Sequence, residues 1–302
     1  MARRSSLLSS ALLVLALSLI GSLGIAALGG PAALLTGAAL PRLGAPAQTT
    51  GGQGGNVTVE YLGWSFYRLT SPTGKIVLTN PFIEGNADAA ITLDEAIARG
   101  ADIIVVADGH RDEQGNTIEI ASATGARVVT PDFMMGTWFA EKGVPRPQLS
   151  FTSPGEVYRH EGITVHVLGS VHGSTPPSPS DTVYYPGVAA SFMITFENGY
   201  TVYFSGSSAA TMDMATWADM YKPDAAIVHQ NEKHEPRDSA MIVKYMTNNN
   251  PNLRTVFPHH HRLQPVPGGL FRPSDLKTEI DRLGINVNFI DPNPLQPYTL
   301  TK

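Results

Sequence analysis

The sequence contains no cysteine among its 302 residues. This absence excludes disulfide bonds, thiolate zinc sites, iron–sulfur clusters and cysteine nucleophiles. Any bound metal ion must therefore be held by histidine, carboxylate or other oxygen donors. The chain is also poor in charge, since charged residues make up 16% of it and the formal net charge is −5. This balance argues against nucleic acid as a partner, because the phosphate backbone selects basic surfaces.

The N-terminus differs in composition from the rest of the chain. Arg3 and Arg4 precede a mostly apolar run from Leu7 to about Leu28. A basic start followed by an apolar stretch is typical of an export signal, and Ala45-Pro46-Ala47 supplies an A-x-A cleavage pattern. The run also approaches the ~20 residues that span a bilayer, so an uncleaved membrane anchor is the alternative. We therefore predict an extracytoplasmic protein, secreted or membrane-anchored, with a signal peptide or anchor at 1–47, a Gly-rich linker at 48–55 and one folded domain at 56–302.

The most informative motif follows a short apolar run. Residues 103–107 predict a buried strand, because the run is short and rich in β-branched residues. Four polar residues come directly after it, namely Asp108, His110, Asp112 and Glu113. The loops at the carboxyl ends of strands are where α/β folds usually place chemistry, and this donor set suits a divalent cation. The alternative interpretation is an ordinary polar loop.

Polar residues also follow four other predicted strands. They are His172, Ser207, the group His229, Glu232 and His234, and the pair His259 and His260. Five strands that each end in polar donors are explained most simply by one cluster at one edge of the fold. Predicted helices alternate with the strands along the chain, and the last two elements are a helix capped by Ser274 and a strand at 286–290. This mixture predicts a layered α/β fold in which helices cover the sheets.

The order and spacing of these motifs resemble the metallo-β-lactamase superfamily, in particular its branch around the ascorbate-phosphate lactonase. The resemblance extends from about Val57 to His261. Its markers are Gly63-x-Ser65, Thr79-Asn80-Pro81-Phe82, the segment 108–113, Val171-His172, Ser205-Gly206-Ser207, the segment 221–224 and Pro258-His259-His260. The resemblance implies an αββα sandwich, in which two sheets pack face to face with helices outside.

The chain departs from the family pattern at the metal site. The family's metal loop, His-x-His-x-Asp-His, has carboxylates here at Asp108 and Glu113 in place of two histidines. The family's bridging aspartate corresponds to Ser207, and the histidine that often follows the first glycine corresponds to Trp64. Because a hydroxyl is a poor substitute for a bridging anion, we expect one ion per chain rather than a closely spaced pair.

The resemblance implies a set of ligands that is richer in oxygen than a usual zinc site. These candidate metal ligands are Asp108, His110, Asp112, Glu113, His172 and His260. Carboxylates favour manganese, magnesium or iron(II) over zinc. Asp112, whose family counterpart binds metal and orients the nucleophile, is the expected base. Residues expected to support the ligands or contact substrate are Asn80, Ser207, His229, Glu232, His234 and His259, and Asn80 could donate a hydrogen bond to the carboxylate at position 108.

These features predict an exported metal-dependent hydrolase that acts on an ester, lactone or phosphodiester bond of a small-molecule substrate. The alternative is a metal-free binding or structural protein on the same fold, which includes a secreted assembly protein. The sequence leaves open whether the chain forms a homo-oligomer.

Overall fold

The computed structural model describes residues 55–175, 187–264 and 271–302. The predicted signal or anchor at 1–47 and most of the predicted linker lie outside these ranges. Within them, no helix combines the length and the apolar character needed to span a membrane.

The strands of the described ranges form two sheets. In chain order they are β1 Val57–Tyr61, β2 Tyr67–Thr70, β3 Ile76–Thr79, β4 Ile103–Val105, β5 Arg127–Val129, β6 Val157–His160, β7 Ile163–Gly169, β8 Ala190–Thr195, β9 Thr201–Phe204, β10 Ala225–His229, β11 Thr255–His259, β12 Asn288–Phe289 and β13 Pro297–Leu300. The first sheet has the order β13-β1-β2-β3-β4-β5, and the second has the order β12-β11-β10-β9-β8-β7-β6.

Both sheets combine antiparallel and parallel pairs. In the first, β1 to β3 form an antiparallel meander, and β4 and β5 continue it in parallel. In the second, β6 to β9 are antiparallel, and β9 to β12 are parallel. Consequently β7, β9, β10 and β11 all run in one direction, and their carboxyl ends lie at the same edge.

Helices lie on the outer face of each sheet. Their bounds are α1 Leu93–Arg99, α2 Arg111–Gln114, α3 Thr117–Thr124, α4 Phe133–Glu141, α5 Asp213–Tyr221, α6 Pro236–Met246 and α7 Pro273–Arg282, with a short 3₁₀ helix at Arg146–Gln148. Apolar side chains of α1, α3 and α4 pack with those of the first sheet. Those of α5, α6 and α7 pack with the second sheet.

A third group of apolar side chains forms the cluster between the two sheets. In β1, alternate residues Val57, Val59 and Tyr61 are buried in it, as expected for a strand with one face toward the core. Ile227 and Phe257 reach the same cluster from the second sheet. The layers are therefore helix, sheet, sheet and helix, and the predicted αββα sandwich is confirmed.

Two predictions about the C-terminal part are wrong. Helix α7 is capped by Arg272 rather than Ser274, and Pro273 occupies its first turn, where the missing N–H of proline has no helical partner to lose. The predicted strand at 286–290 is not the last one, because β13 follows it and pairs with β1. A short edge strand that begins with proline carries little strand signal in the sequence.

Candidate active site

The sheet edges bring the strand-end residues together. Ala190 at the start of β8 donates from its backbone N to the carbonyl of Ala107, over 2.8 Å, which joins the two sheets beside β4. Gly206, just after β9, is adjacent to the same point: a Cβ there would lie 2.5 Å from the carbonyl oxygen of Ala190 and 2.8 Å from the Cβ of Ala107. This close approach requires glycine at 206.

A first cluster consists of Asp108, His110 and His172. The Oδ1 atom of Asp108 contacts Nδ1 of His110 at 2.6 Å, and it accepts a hydrogen bond from the backbone N of His110 over 2.8 Å. The Nε2 atom of His172 lies 3.8 Å from Oδ2 of Asp108. One ligand atom from each of the three residues lies within 4.8 Å of the others. These three side chains can therefore bind one cation together.

A second cluster consists of Asp112, Glu113 and His260. The Nε2 atom of His260 lies 3.3 Å from Asp112 Oδ2 and 3.3 Å from Glu113 Oε1. Ser207 donates from Oγ to Glu113 Oε1 over 2.5 Å. Asp112 and Glu113 lie on α2, a single turn within the segment that was predicted as a loop. The turn places both carboxylates beside the first cluster.

The electrostatics of the second cluster separate its two carboxylates. Burial lowers the pKa of His260, but its hydrogen bonds to Asp112 and Glu113 outweigh burial and raise the pKa to about 10. Burial raises the pKa of Asp112, but hydrogen bonds from His260 and Trp64 outweigh it and lower the pKa to about 2. Glu113 is only 1% exposed, so burial raises its pKa although His260 opposes the shift.

The other predicted histidines surround His260. The ring of His229 lies 4.8 Å from that of His260, and His234 lies 4.7 Å from His229. His259 is fully buried, and its Nε2 contacts Ser205 Oγ at 3.1 Å. Burial lowers the pKa of His229, of His234 and of His259. All three are therefore neutral at pH 7, and they surround the charged imidazole of His260.

Two residues that were predicted to belong to the site are not members of either cluster. Glu232 lines a neighbouring cavity of about 390 Å³ together with His261 and Arg262. Asn80 was expected to donate to Asp108, but the structure shows a different contact: its Oδ1 accepts from the backbone N of Ala107 over 2.9 Å. Its Nδ2 has no hydrogen-bond partner among the described residues. Asn80 therefore supports the backbone just before Asp108 rather than its carboxylate.

Comparisons with known proteins agree with this architecture. No model of a known protein family matches the chain. A protein named UPF0173 metal-dependent hydrolase, from Roseiflexus sp., is 28% identical over 246 residues, which cover 80% of this chain and 96% of that protein. Igni18, a metallo hydrolase from Ignicoccus hospitalis, superposes with a TM-score of 0.68 at 20% identity and covers 82% of this chain and 99% of its own.

A second solved structure decides the fold. YhfI from Bacillus subtilis, a metallo-β-lactamase fold protein, superposes with a TM-score of 0.56 at 12% identity, over 81% of this chain and 99% of its own. The chain has the metallo-β-lactamase fold. The resemblance drawn from the sequence is confirmed at this level, whereas the narrower lactonase-like branch stays a prediction.

The donor set of this metallo-β-lactamase fold fits a divalent cation. Asp108 is 0% exposed, and its Oδ2 has no hydrogen-bond partner among the described residues. The same holds for Oε2 of Glu113. A buried carboxylate oxygen without a partner is unfavourable, and a cation bound by the first cluster would satisfy the oxygen of Asp108. The hydrogen bond to Asp108 raises the pKa of His110, whereas burial lowers that of His172.

Sequence reasoning missed Trp64 as a member of the site. Its Nε1 donates to Asp112 Oδ2 over 3.0 Å, and its ring centroid lies 4.4 Å from that of His260. The available signal was its position, because Trp64 stands where the resembled family often has histidine. Ser65 was also missed in this role, although its Oγ lies 3.5 Å from Glu113 Oε1.

Proposed function

We propose that the protein is a metal-dependent hydrolase with an oxygen-rich site. The observation that carries this proposal is the cluster of Asp108, His110 and His172, whose ligand atoms lie within 4.8 Å of one another. The likeness to the Roseiflexus relative, named as a metal-dependent hydrolase, and to Igni18, named as a metallo hydrolase, supports it.

The first cluster would hold one divalent ion, manganese, iron, magnesium or zinc. Such an ion acidifies water and polarises the bond under attack. Ser207 supports a count of one, because it donates to Glu113 where the resembled family has a bridging carboxylate. His260 supports it too, since it already contacts both carboxylates of the second cluster.

Asp112 is the proposed base. Its side chain is 33% exposed, in contrast to the buried Glu113. Its low pKa keeps it ionised at neutral pH. Both His260 and Trp64 contact Oδ2, so Oδ1 is the oxygen available to orient a water molecule and accept its proton. His260 and Trp64 are the two donors that contact the carboxylate.

The proposed reaction is hydrolysis of an ester, lactone or phosphodiester bond in a small molecule. We would purify the protein without chelator, measure its metal content, and load it separately with manganese, iron, magnesium or zinc. Hydrolysis of p-nitrophenyl acetate, γ-butyrolactone and bis-p-nitrophenyl phosphate is then followed for each form. Activity should require an ion and disappear with chelator.

Two histidine variants make this test specific. His110→Ala removes a residue of the first cluster, so ion binding and hydrolysis should both be lost. His166→Ala is the control, because His166 packs on Tyr221 at a ring distance of 4.5 Å, away from the clusters. Hydrolysis that survives in His110→Ala, or full metal occupancy with no activity on any bond class, would contradict the proposal.

One observation favours the alternative of a metal-free binding protein. His260 and Ser207 already satisfy one oxygen of Glu113, and His260 also satisfies Asp112. A second cluster stabilised in this way needs no cation. Failure to bind any of the four metals at millimolar concentration would favour this alternative over the hydrolase.

We also propose that the protein works outside the cytoplasm. The basic start, the apolar run and the Ala45-Pro46-Ala47 pattern support this localisation. Cell fractionation and N-terminal sequencing test it. A mature N-terminus at Gln48 would support a cleaved signal, and an intact chain in the membrane fraction would support an anchor. An intact chain in the cytoplasm would contradict both.

A further inference from the structure

Trp64 contacts two members of the second cluster, Asp112 and His260. Its indole N–H donates to Asp112 Oδ2 over 3.0 Å. Its ring packs against His260 with 4.4 Å between centroids. Its backbone carbonyl accepts a hydrogen bond from the backbone N of His260 over 2.9 Å. One residue therefore fixes the carboxylate, the imidazole and the backbone beside them.

The backbone at both ends of this contact is unusual. Trp64 has φ of 60° and His260 has φ of 68°, in the left-handed region that side chains with a Cβ seldom adopt. Such conformations persist where the surrounding structure holds them, and they concentrate at functional sites. Here the hydrogen bond between the two residues joins one strained position to the other.

A second layer of contacts holds the indole. The guanidinium carbon of Arg262 lies 5.3 Å from the centroid of the Trp64 ring. Arg262 in turn forms an ion pair with Asp88, with 3.2 Å between Nη1 and Oδ2. The side chain of Asp88 is only 10% exposed. The contacts thus run from Asp88 through Arg262 and Trp64 to Asp112.

We propose that Trp64 is a positioning residue, which holds Asp112 through its indole N–H so that Oδ1 of the carboxylate faces the reacting water. The proposal rests on the hydrolase function proposed above. Asp112 needs such a partner because it lies on a helix of four residues and is partly exposed. Its side-chain partners among the described residues are His260 and Trp64. Without the indole N–H the carboxylate would be held from one side only.

The contact itself can be tested by NMR of protein labelled with ¹⁵N-tryptophan. The chain has three tryptophans, so Trp138 and Trp217 serve as internal references. Asp112→Ala should move the indole proton of Trp64 upfield and speed its exchange with water, while the other two stay unchanged. An unchanged Trp64 resonance in Asp112→Ala would overturn the proposal.

The positioning role is tested by a double-mutant cycle on Mn²⁺-dependent hydrolysis. Trp64→Phe keeps an aromatic ring but removes the N–H, and we expect it to lower kcat about tenfold, as for other groups that orient residues of a metal site, while the Mn²⁺ affinity of the first cluster stays unchanged. If Trp64 acts through Asp112, Trp64→Phe should have no further effect in an Asp112→Ala background. Additive losses would overturn the proposal, because Trp64 would then act by another route.

Trp138→Phe is the matched control, since Trp138 lies in the cluster between α4 and the first sheet. It should leave kcat of Mn²⁺-dependent hydrolysis unchanged in both backgrounds. If the unmodified protein binds no ion, the hydrolase proposal fails, and the Trp64 contact is then decided by the indole resonance alone. If Trp64→Phe does not fold, Asp112→Ala still provides that measurement.

Discussion

Two adjacent carboxylates of the candidate site have opposite electrostatic environments. Asp112 and Glu113 share one helical turn and one histidine, but their side chains are 33% and 1% exposed. The pKa of Asp112 falls and that of Glu113 rises. Environments that separate two neighbouring carboxyl groups in this way assign them different roles. Asp112 therefore stays ionised at neutral pH and can orient a water molecule, whereas Glu113 suits a structural or ligand role.

We expect Ser207 to limit the site to one ion. We expect Ser207→Asp to create a site for a second ion, because it restores a carboxylate beside Glu113, 2.5 Å from the present hydroxyl. Without an ion the two carboxylates would repel each other and destabilise the fold. Elemental analysis after metal loading should give two ions per chain in the variant and one in the parent. Ser207→Asn, which lacks the charge, should remain at one.

Metal affinity should rise with pH. In the ion-free protein, the hydrogen bond to Asp108 raises the pKa of His110 above its usual value, so His110 is protonated at pH 6. A cation bound by the first cluster has to displace that proton, and the displacement becomes easier as pH rises through the raised pKa. The Kd for Mn²⁺ should fall by up to about tenfold per pH unit below that pKa. His260→Gln should keep the same slope, because His260 belongs to the second cluster, and a slope lost in that variant would contradict the assignment.

The sequence predicted the strand-end residues of the site better than their contacts. Asp108, His172 and His260 converge because each follows a strand whose carboxyl end lies at the same edge of the fold. The strands themselves can be located from the apolar pattern of the sequence. The contacts of Asn80 and Trp64 depend on side-chain orientation and on strained backbone, which no local pattern encodes. Glu232 lines a neighbouring cavity with His261 and Arg262, and its contact with a substrate stays a prediction.

At the level of elements, the junction between the sheets depends on one glycine. Gly206 has φ of 50°, and a Cβ there would lie 2.5 Å from the carbonyl oxygen of Ala190. Gly74 has φ of 86° but nothing within 4 Å of its Cβ position. Both positions disfavour a side chain through φ, by about 1–2 kcal/mol, but only Gly206 adds a steric clash, worth roughly 1–3 kcal/mol more.

We therefore expect Gly206→Ala to lower the free energy of unfolding clearly more than Gly74→Ala does. Urea denaturation of the two variants measures the difference. Gly206→Ala should also weaken Mn²⁺ binding, since Gly206 lies beside Ala107 and hence next to Asp108. Equal losses of stability in both variants would show that the contact at Ala190 relaxes without cost.

The elements themselves were predictable to different degrees. Long, strongly patterned segments such as β7 and α6 have clear apolar periodicity, so their positions follow from the sequence. Helix α2 has only four residues and begins where the backbone carbonyl of His110 accepts hydrogen bonds from Glu113 and Gln114. One helical turn has no periodicity to detect. The edge strand β13 was missed for a similar reason, because its pairing with β1 is a contact between the two ends of the domain.

At the scale of the whole molecule, the αββα layering follows from the alternation of strands and helices along the chain. The resemblance to the metallo-β-lactamase superfamily then indicated where on this fold the candidate site lies. The core between the sheets holds the site in place. Phe257 and Phe204 are fully buried there. Phe257 stands two residues before His259 on β11, and Phe204 is the last residue of β9. We expect Phe257→Ala to cost about 3–5 kcal/mol of stability. Urea unfolding measures this cost, and a loss below about 1 kcal/mol would indicate that the two sheets repack around the cavity.

Ion binding should stabilise the entire fold. Oδ2 of Asp108 is buried without a hydrogen-bond partner among the described residues, so a cation held by the first cluster satisfies a group that only the folded state buries. At a concentration of 100 times the Kd, an ion that binds only the folded state adds about 2.7 kcal/mol. For a domain of this size that corresponds to a rise in Tm of about 5–10 °C. Calorimetry with Mn²⁺ and then with excess chelator should show the rise and its reversal. His110→Ala should show neither, and an identical rise in that variant would place the stabilising ion outside the first cluster.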